Sequence, residues 1–384
     1  MIHLTFYSFL SEIILLVLKS FKFFSKVSEI QKPIIGISIG DFNGIGPEVI
    51  LKAVGGNRLN KICTPVIYGS GKVINRYRLM LDFKDWQFFT IHKIEQVKHK
   101  QVNVINCMHD QALDVQPGVV SPEAGKLAFE SLKRAVEDLK AGKIDALVTA
   151  PINKHNMQSD DFKFPGHTEF LADAFGVNKE LMFMISEELK IGVATAHVPL
   201  DQVKKHINKE LIISKLEQIK SSLIRDFGKQ KPKIAVLGLN PHAGENGLLG
   251  MEEKEIIQPA LIEYKNKGNL VFGPFPADGF FGTAAWKNYD AILAMYHDQG
   301  LMPFKMIAFE NGVNFTAGLP KVRTSPDHGT AYDIAGKNIA DESSMLNAIY
   351  MAIDITKNRK DLAELEAGSM KKKSIILKEA SMED

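Results

Sequence analysis

The alternation of two kinds of segment constrains the fold of this chain most. From Pro33 onward, short apolar runs rich in β-branched residues alternate with longer amphipathic runs. A short apolar run is typical of a buried strand, and a longer run with a helical apolar period is typical of a helix. The pattern predicts an α/β fold in which helices cover a mostly parallel sheet. The predicted strands are IIGISIG, TPVIYGS, DALVTAP, LMFMIS, IGVATAH, KIAVLGL, LVFGPFP and AILAMYH.

Helices are predicted between these strands. The clearest is PEAGKLAFESLKRAVEDLKAG, with Ser121 as N-cap, Pro122 as the first helical residue and Gly142 at the end. EFLADAF is also predicted to be helical. The remaining helices are predicted at about 200–227, at about 252–267 and in SSMLNAIYMAIDIT.

The first 32 residues differ from the rest of the chain. They are rich in Phe, Leu and Ile, but Glu12, Lys19 and Lys22 interrupt the apolar run. A membrane span needs about 20 mostly apolar residues, and the basic start and small-residue cleavage site of a secretory signal are not visible. An amphipathic helix around Ile13 to Leu18 and an upstream extension of the reading frame both remain open. We predict an extension, residues 1–32, outside the catalytic fold.

The rest of the chain shows no repeat and no low-complexity linker. Residues 33–360 are predicted to form the catalytic region, made of two interleaved α/β subdomains. Residues 361–384 are predicted to be a C-terminal tail, frayed or loosely docked after Gly368.

Charge and cysteine content narrow the class of protein. The 47 Lys and Arg residues nearly balance the 45 Asp and Glu residues, so there is no electrostatic case for a nucleic-acid partner. A membrane partner is not expected either. Cys63 and Cys107 have no metal-type spacing and are too few for a disulfide framework. Two free thiols fit a reducing compartment, and we expect a cytoplasmic protein.

Three predicted strands each lead to a histidine. His197 ends IGVATAH, His242 follows KIAVLGLNP, and His297 ends AILAMYH. In open α/β sheets, ligands bind at the carboxyl ends of the strands. Three imidazoles and an open position are the ligand set of a catalytic divalent metal. The pattern therefore predicts a metal site, the alternative being three unrelated, semi-buried histidines.

Residues that bind anions are also prominent. His167 and Thr168 come immediately before EFLADAF, so helix-terminal N–H groups would face a ligand there. Lys305, Asn314 and Arg323 follow in one later segment. Arg binds phosphate or carboxylate groups bidentately, and Lys binds them as a point charge. Unless these cations are merely solvated surface charges, they predict a phosphorylated or carboxylated small substrate.

The segment GISIGDFNGIGPEVILKA reads as a strand, a Gly-rich turn and a helix with Pro47 at its start. Such glycines allow a tight turn or a close backbone approach to a ligand. The third glycine of the dinucleotide-binding fingerprint is missing, and no P-loop is present. Residues that contact a dinucleotide are therefore not assigned.

Eight segments, in order from Gly40 to Gly336, resemble the 4-hydroxythreonine-4-phosphate dehydrogenase family of pyridoxal phosphate synthesis. They cover the chain except its first thirty or so residues and its tail. One departure is Phe42, where the family usually has Pro. The segments are GDFNGIGPE, VTAPINK, FPGHTEFLA, TAHVPL, LNPHAGENGLLGMEE, GPFPADGFF, MYHDQG and GVNFTAGLPKVRTSPDHGTAYDIAG.

The resemblance implies an isocitrate/isopropylmalate dehydrogenase-like fold, with two α/β domains and the active site in the cleft between them. It also implies a homodimer in which one metal ligand comes from the partner. The implied metal ligands are His197, His242 and His297. The implied metal is zinc, with magnesium, manganese or cobalt as alternatives. The implied substrate-binding residues are His167, Thr168, Lys305, Asn314 and Arg323.

The implied reaction is the NAD-linked oxidation of 4-phosphohydroxy-L-threonine to 2-amino-3-oxo-4-phosphooxybutanoate, which decarboxylates to 3-amino-2-oxopropyl phosphate. NADP is possible in place of NAD. Asp278 in FPADGFF and Asp298 beside His297 are candidates for proton transfer or for orienting an imidazole.

Two other functions remain open on the sequence. The first is a paralogous dehydrogenase of threonate or erythronate 4-phosphate, whose substrates share the hydroxyl, carboxylate and phosphate groups. The second belongs to another class, a non-oxidative metal- and phosphate-binding protein or phosphoester hydrolase. The second predicts affinity for metal and phosphate without affinity for NAD.

Overall fold

The strands form one continuous sheet. A computed structural model describes residues 32–56, 58–109, 113–177 and 180–380, with side chains up to residue 368. The predicted N-terminal extension therefore lies outside the described residues, except for Lys32. The twelve strands are β1 (Ile34–Ser38), β2 (Thr64–Gly69), β3 (Phe89–Ile91), β4 (Asn103–Asn106), β5 (Ala146–Thr149), β6 (Leu181–Ile185), β7 (Lys190–Thr195), β8 (Lys233–Leu237), β9 (Leu270–Phe275), β10 (Ala291–Tyr296), β11 (Val313–Ala317) and β12 (Val322–Pro326).

Helices pack on this sheet, and both of its faces are buried. In β2, for example, Val66 and Tyr68 belong to one apolar core and Ile67 to another, because neighbouring residues of a strand point to opposite faces. The helices are α1 (Gly46–Gly55), α2 (Gly71–Met80), α3 (Pro122–Lys140), α4 (His167–Phe175), α5 (Leu200–His206), α6 (Lys209–Arg225), α7 (Gln258–Asn266), α8 (Ala277–Gly282), α9 (His297–Ala308) and α10 (Ser343–Ala380).

The sheet has two parallel blocks with opposite directions. The strand order is β3-β4-β2-β1-β5-β12-β11-β6-β7-β10-β8-β9. The strands from β3 to β12 are parallel to one another, and so are those from β7 to β9. Between the blocks, β11 and β6 form antiparallel pairs with each other and with their outer neighbours. The mostly parallel α/β sheet predicted from the sequence is confirmed.

All eight predicted strands are present, but four others were not predicted. Of these, β3 has only three residues, and Asn residues stand at both ends of β4. In β11 and β12, Asn314 and Arg323 interrupt the apolar runs that would have marked the strands. Both of these polar residues line a cavity of the protein.

The predicted helices are present, with changes at their ends. The Ser121 hydroxyl accepts a hydrogen bond from the Ala124 N–H at 3.2 Å, as expected for the N-cap of α3. The single helix predicted at about 200–227 is two helices, because Asn208 leaves the helical conformation and caps α6 through Leu211 N–H. The residues predicted as a C-terminal tail continue α10 as far as Ala380.

Within the described part of the chain, every helix is too short or too polar to cross a lipid bilayer.

Candidate active site

A cavity of about 470 Å³ lies over the sheet where the two blocks meet. The ends of β5 and β12 wall one side, and the ends of β7 and β10 wall the other. Seven of the ten residues predicted for the site line it, namely His167, Thr168, His197, His297, Lys305, Asn314 and Arg323. The cavity therefore joins the predicted anion-binding residues to two of the three predicted metal ligands.

Arg323 is a buried cation at the floor of this cavity. Its side chain lies on β12, and the residue is only 2% exposed. The guanidinium donates to the Thr149 hydroxyl from Nε at 3.1 Å and from Nη2 at 2.6 Å, and to the Thr316 hydroxyl from Nη1 at 3.0 Å. Burial lowers the pKa of Arg323 to about 10, and the Glu169 carboxylate acts in the opposite direction. At neutral pH the group is a charged binding site for an anion.

His167 contributes a neutral imidazole to the same wall. It is the first residue of α4, after the N-cap Gly166, so the helix begins earlier than predicted. Burial, followed by the nearby positive charges of Arg323 and Lys154, holds the pKa of His167 well below its usual value. The side chain is therefore uncharged at neutral pH and can act as a hydrogen-bond donor or acceptor.

Several buried polar atoms of the cavity have no hydrogen-bond partner among the residues that the structure describes. They are the His167 Nε2, Asn314 Oδ1, Asp327 Oδ2 and His328 Nε2 atoms. Buried polar atoms are nearly always hydrogen-bonded in folded proteins, or their lack of a partner has a functional cause. The four atoms lie where a small polar ligand would contact them.

Lys305 and Asp327 are a second set of charged side chains in the cavity lining. The Lys305 Nζ atom lies 3.8 Å from the Asp327 Oδ1 atom. Burial raises the pKa of Asp327, whereas Lys305 and His297 act to lower it. This long contact leaves Lys305, which is 43% exposed, able to reach a ligand.

Sequence reasoning missed several residues of the cavity. Thr149 and Lys154 lie in VTAPINK, Glu169 follows His167 and Thr168, and Asp327 precedes His328. Each is a polar residue at the end of a strand, in the loop that follows a strand, or in the first turn of a helix. That position was the available signal, but it does not distinguish a ligand-binding residue from a capping residue.

His197 and His297 form a pair on the far wall. They follow the adjacent strands β7 and β10, as predicted, and their ring centroids are 6.1 Å apart. The His197 Nδ1 atom lies 3.7 Å from Glu169 Oε1. The His297 Nδ1 atom hydrogen-bonds to Asp298 Oδ1 at 2.7 Å. Carboxylates next to the Nδ1 atoms orient imidazoles in metal sites, which is one of the two roles predicted for Asp298.

His242 and Asp278 lie outside the cavity. His242 is exposed within Pro241–Gly247, where residues 242–246 all have φ values in the left-handed region. Asp278 is exposed on α8. Among the described residues of one chain, no three His, Cys, Asp or Glu side chains are grouped to hold a metal. The metal site of three histidines stays a prediction. It would need His242 from a second copy of the chain.

The Gly-rich turn contacts other loops rather than the cavity. Gly40 has a φ of +68°, and a Cβ there would lie 2.2 Å from the Pro151 carbonyl oxygen. The buried Asp41 Oδ2 atom accepts hydrogen bonds from Asn156 Nδ2 at 2.7 Å and from the Tyr332 hydroxyl at 2.8 Å. Tyr332 also accepts one from Asn153 Nδ2 at 3.0 Å. Asp41 thus links the loops that follow β5 and β12, which form two walls of the cavity.

Replacing Tyr332 by Phe is expected to loosen these walls. The change removes the hydroxyl that joins Asp41 to Asn153, and we expect a Michaelis constant for the substrate about fivefold higher. Tyr77→Phe is the matched control, because its buried hydroxyl donates to the Phe42 and Gly44 carbonyl oxygens of the same turn. Steady-state kinetics and thermal unfolding of both variants make the test. Equal kinetic losses in the two would mean that Tyr332 supports the fold only.

Together, the fold and this cavity define an α/β protein with a candidate anion site beside a histidine pair. The family model described as "Pyridoxal phosphate biosynthetic protein PdxA" matches residues 61–352. The 4-hydroxythreonine-4-phosphate dehydrogenase of Bacteroides thetaiotaomicron is 50% identical over 326 residues, 85% of this chain and 89% of that protein. The D-threonate 4-phosphate dehydrogenase of Cupriavidus necator is 40% identical over 331 residues, 85% of this chain and 98% of that protein.

A solved structure agrees with the fold as well. The crystal structure of 4-hydroxythreonine-4-phosphate dehydrogenase from Klebsiella pneumoniae superposes with a TM-score of 0.75 at 37% identity, over 86% of this chain and 99% of that one. This chain belongs to the PdxA family. The family resemblance, the α/β fold and the oxidoreductase class, which were predicted from the sequence, are confirmed.

Proposed function

We propose that this protein oxidises 4-phosphohydroxy-L-threonine with NAD, or alternatively NADP, in pyridoxine 5'-phosphate synthesis. The product, 2-amino-3-oxo-4-phosphooxybutanoate, is a β-keto acid and decarboxylates to 3-amino-2-oxopropyl phosphate. The observation that carries the proposal is the cavity, which is lined both by the buried Arg323 and by the His197 and His297 pair.

Binding of the substrate phosphate is assigned to the cationic side of the cavity. Arg323 and Lys305 supply positive charge, and the first turn of α4 supplies His167 and Thr168. The amide of Asn314 would use its unpartnered Oδ1 atom to accept a hydrogen bond from the substrate. With the phosphate bound in this way, the carbinol carbon of the substrate would lie toward the two histidines.

The residues of the cavity fit a divalent metal. His197 and His297 offer two neutral nitrogen donors with carboxylates behind them. We assign the third ligand, His242, to a second copy of the chain in a homodimer, because His242 is exposed and lies outside the cavity of its own chain. Imidazole ligands favour zinc, and magnesium, manganese or cobalt are the alternatives. A bound ion would lower the pKa of the substrate hydroxyl.

The carboxylates near the histidines are assigned to orienting an imidazole or to proton transfer. Asp298 holds the Nδ1 side of His297, which leaves the other nitrogen free to face the cavity. Asp278, exposed on α8, is assigned with His242 to the site of the partner subunit. NAD supplies the hydride acceptor. The free thiols Cys63 and Cys107 fit the proposed cytoplasmic location.

A second candidate is the oxidation of D-threonate 4-phosphate or erythronate 4-phosphate. One relative, 40% identical, is named for D-threonate 4-phosphate. The phosphate, carboxylate and hydroxyl groups are common to all three substrates, so the contacts described above serve each of them.

The deciding experiment measures NADH formation by metal-loaded protein with 4-phosphohydroxy-L-threonine and with the two sugar acid phosphates. We expect the amino acid to have the highest kcat/KM. Preference for a sugar acid would move the protein to the second candidate, and absence of NADH with all three substrates would contradict both.

A further inference from the structure

We infer that Thr149 and Thr316 are positioning residues, which hold the Arg323 guanidinium for an anion without neutralising its charge. The inference rests on the proposed function, in which Arg323 binds the substrate phosphate. The two threonines were not among the site residues predicted from the sequence. They lie on β5 and β11, the two strands that flank β12 in the sheet.

The position of the two threonines follows from the register. Arg323 pairs with Leu147 of β5, so Thr149, two residues further on, projects from the same face as Leu147. On the other side, Thr324 pairs with Phe315 of the antiparallel β11, which brings Thr316 next to Arg323. Both threonines are fully buried. Arg323 is therefore held from both neighbouring strands.

The hydrogen bonds also fix which part of the guanidinium faces a ligand. Thr149 accepts from both Nε and Nη2, and Thr316 accepts from Nη1. Of the five N–H groups of an arginine side chain, two remain for a ligand. Thr149 itself lines the cavity, whereas Thr316 lies behind the guanidinium.

The neutral character of these partners matters for binding. Buried arginines are commonly paired with a carboxylate, which stabilises the charge but also compensates it. Arg323 has hydroxyl partners instead, and burial lowers its pKa. A phosphate entering the cavity therefore meets an oriented cation that has no carboxylate hydrogen-bonded to it, and the orientation is already present before binding.

The test compares Thr149→Val with Thr149→Ser. Valine keeps the shape of threonine but has no hydroxyl, and serine keeps the hydroxyl. We expect Thr149→Val to raise KM for 4-phosphohydroxy-L-threonine about tenfold or more, with kcat changed less than about threefold. Thr149→Ser should stay within about threefold of the wild type in both constants. Thr316→Val and Thr316→Ser should behave in the same way.

A second measurement separates this inference from the proposed function. Calorimetric titration of the full chain with inorganic phosphate reports anion binding without turnover. If the wild type binds phosphate and Thr149→Val binds it about tenfold more weakly, the inference holds even where no substrate is oxidised. Unchanged phosphate affinity in Thr149→Val, or equal losses in the Val and Ser variants at equal Tm, would overturn it.

Discussion

Mixing the inactive variants His242→Ala and His297→Ala is expected to restore about a quarter of the wild-type activity per subunit. Each variant alone lacks one proposed metal ligand and should turn over substrate at less than about 1% of the wild-type rate. Since His242 is exposed, its replacement should leave the fold intact. Metal content, measured after gel filtration, should fall together with the activity.

The recovery follows from the geometry of the proposed dimer. In a mixed dimer, one site combines His197 and His297 of the first chain with His242 of the second, and this site is intact. Random exchange makes about half of all dimers mixed, each with one working site of two. His197→Ala mixed with His297→Ala is the control, because both ligands come from the same chain and neither site is repaired. Recovery in both mixtures, or in neither, would contradict the assignment of His242 to the partner.

Arg323→Met is expected to raise the substrate KM by about 100-fold with little change in kcat. The change removes the buried charge that would bind phosphate but keeps a side chain of similar length. Removing a buried charge also removes the cost of desolvating it, which offsets the loss of the hydrogen bonds to Thr149 and Thr316. We therefore expect Tm to stay within about 3 °C of the wild type. KM, kcat and thermal unfolding are the three measurements.

Lys321→Met is the matched control for this variant. It removes a positive charge two residues away, from a side chain that does not line the cavity. Its kinetics should match those of the wild type. A normal KM with a reduced kcat in Arg323→Met would mean that the arginine acts in the chemical step rather than in binding.

The strands show what could be predicted from residue pattern. Apolar runs such as AILAMYH are recognisable because both of their faces are buried. The strands β11 and β12 escaped prediction because Asn314 and Arg323 face the cavity. The same two residues were nevertheless recognised as ligand-binding from their type. A polar residue that interrupts the apolar pattern of a strand can therefore indicate a ligand-binding site.

The candidate site was predictable only in part, because its contacts span the chain. His197 and His297 share a setting, the carboxyl end of a strand, and the adjacency of β7 and β10 brings them together. Nothing in VTAPINK indicates that Thr149 meets a guanidinium 174 positions later. Such a contact depends on which strands become neighbours, and local pattern does not determine that order.

The placement of β12 between β5 and β11 has a consequence for biosynthesis. While the chain leaves the ribosome, β5 emerges long before β12. Until β12 has emerged, the edge of β5 that pairs with it in the finished sheet lacks this partner strand. Contacts between residues so far apart in the chain form slowly, since a long loop must close first. The anion site is therefore among the last parts of the molecule to be completed.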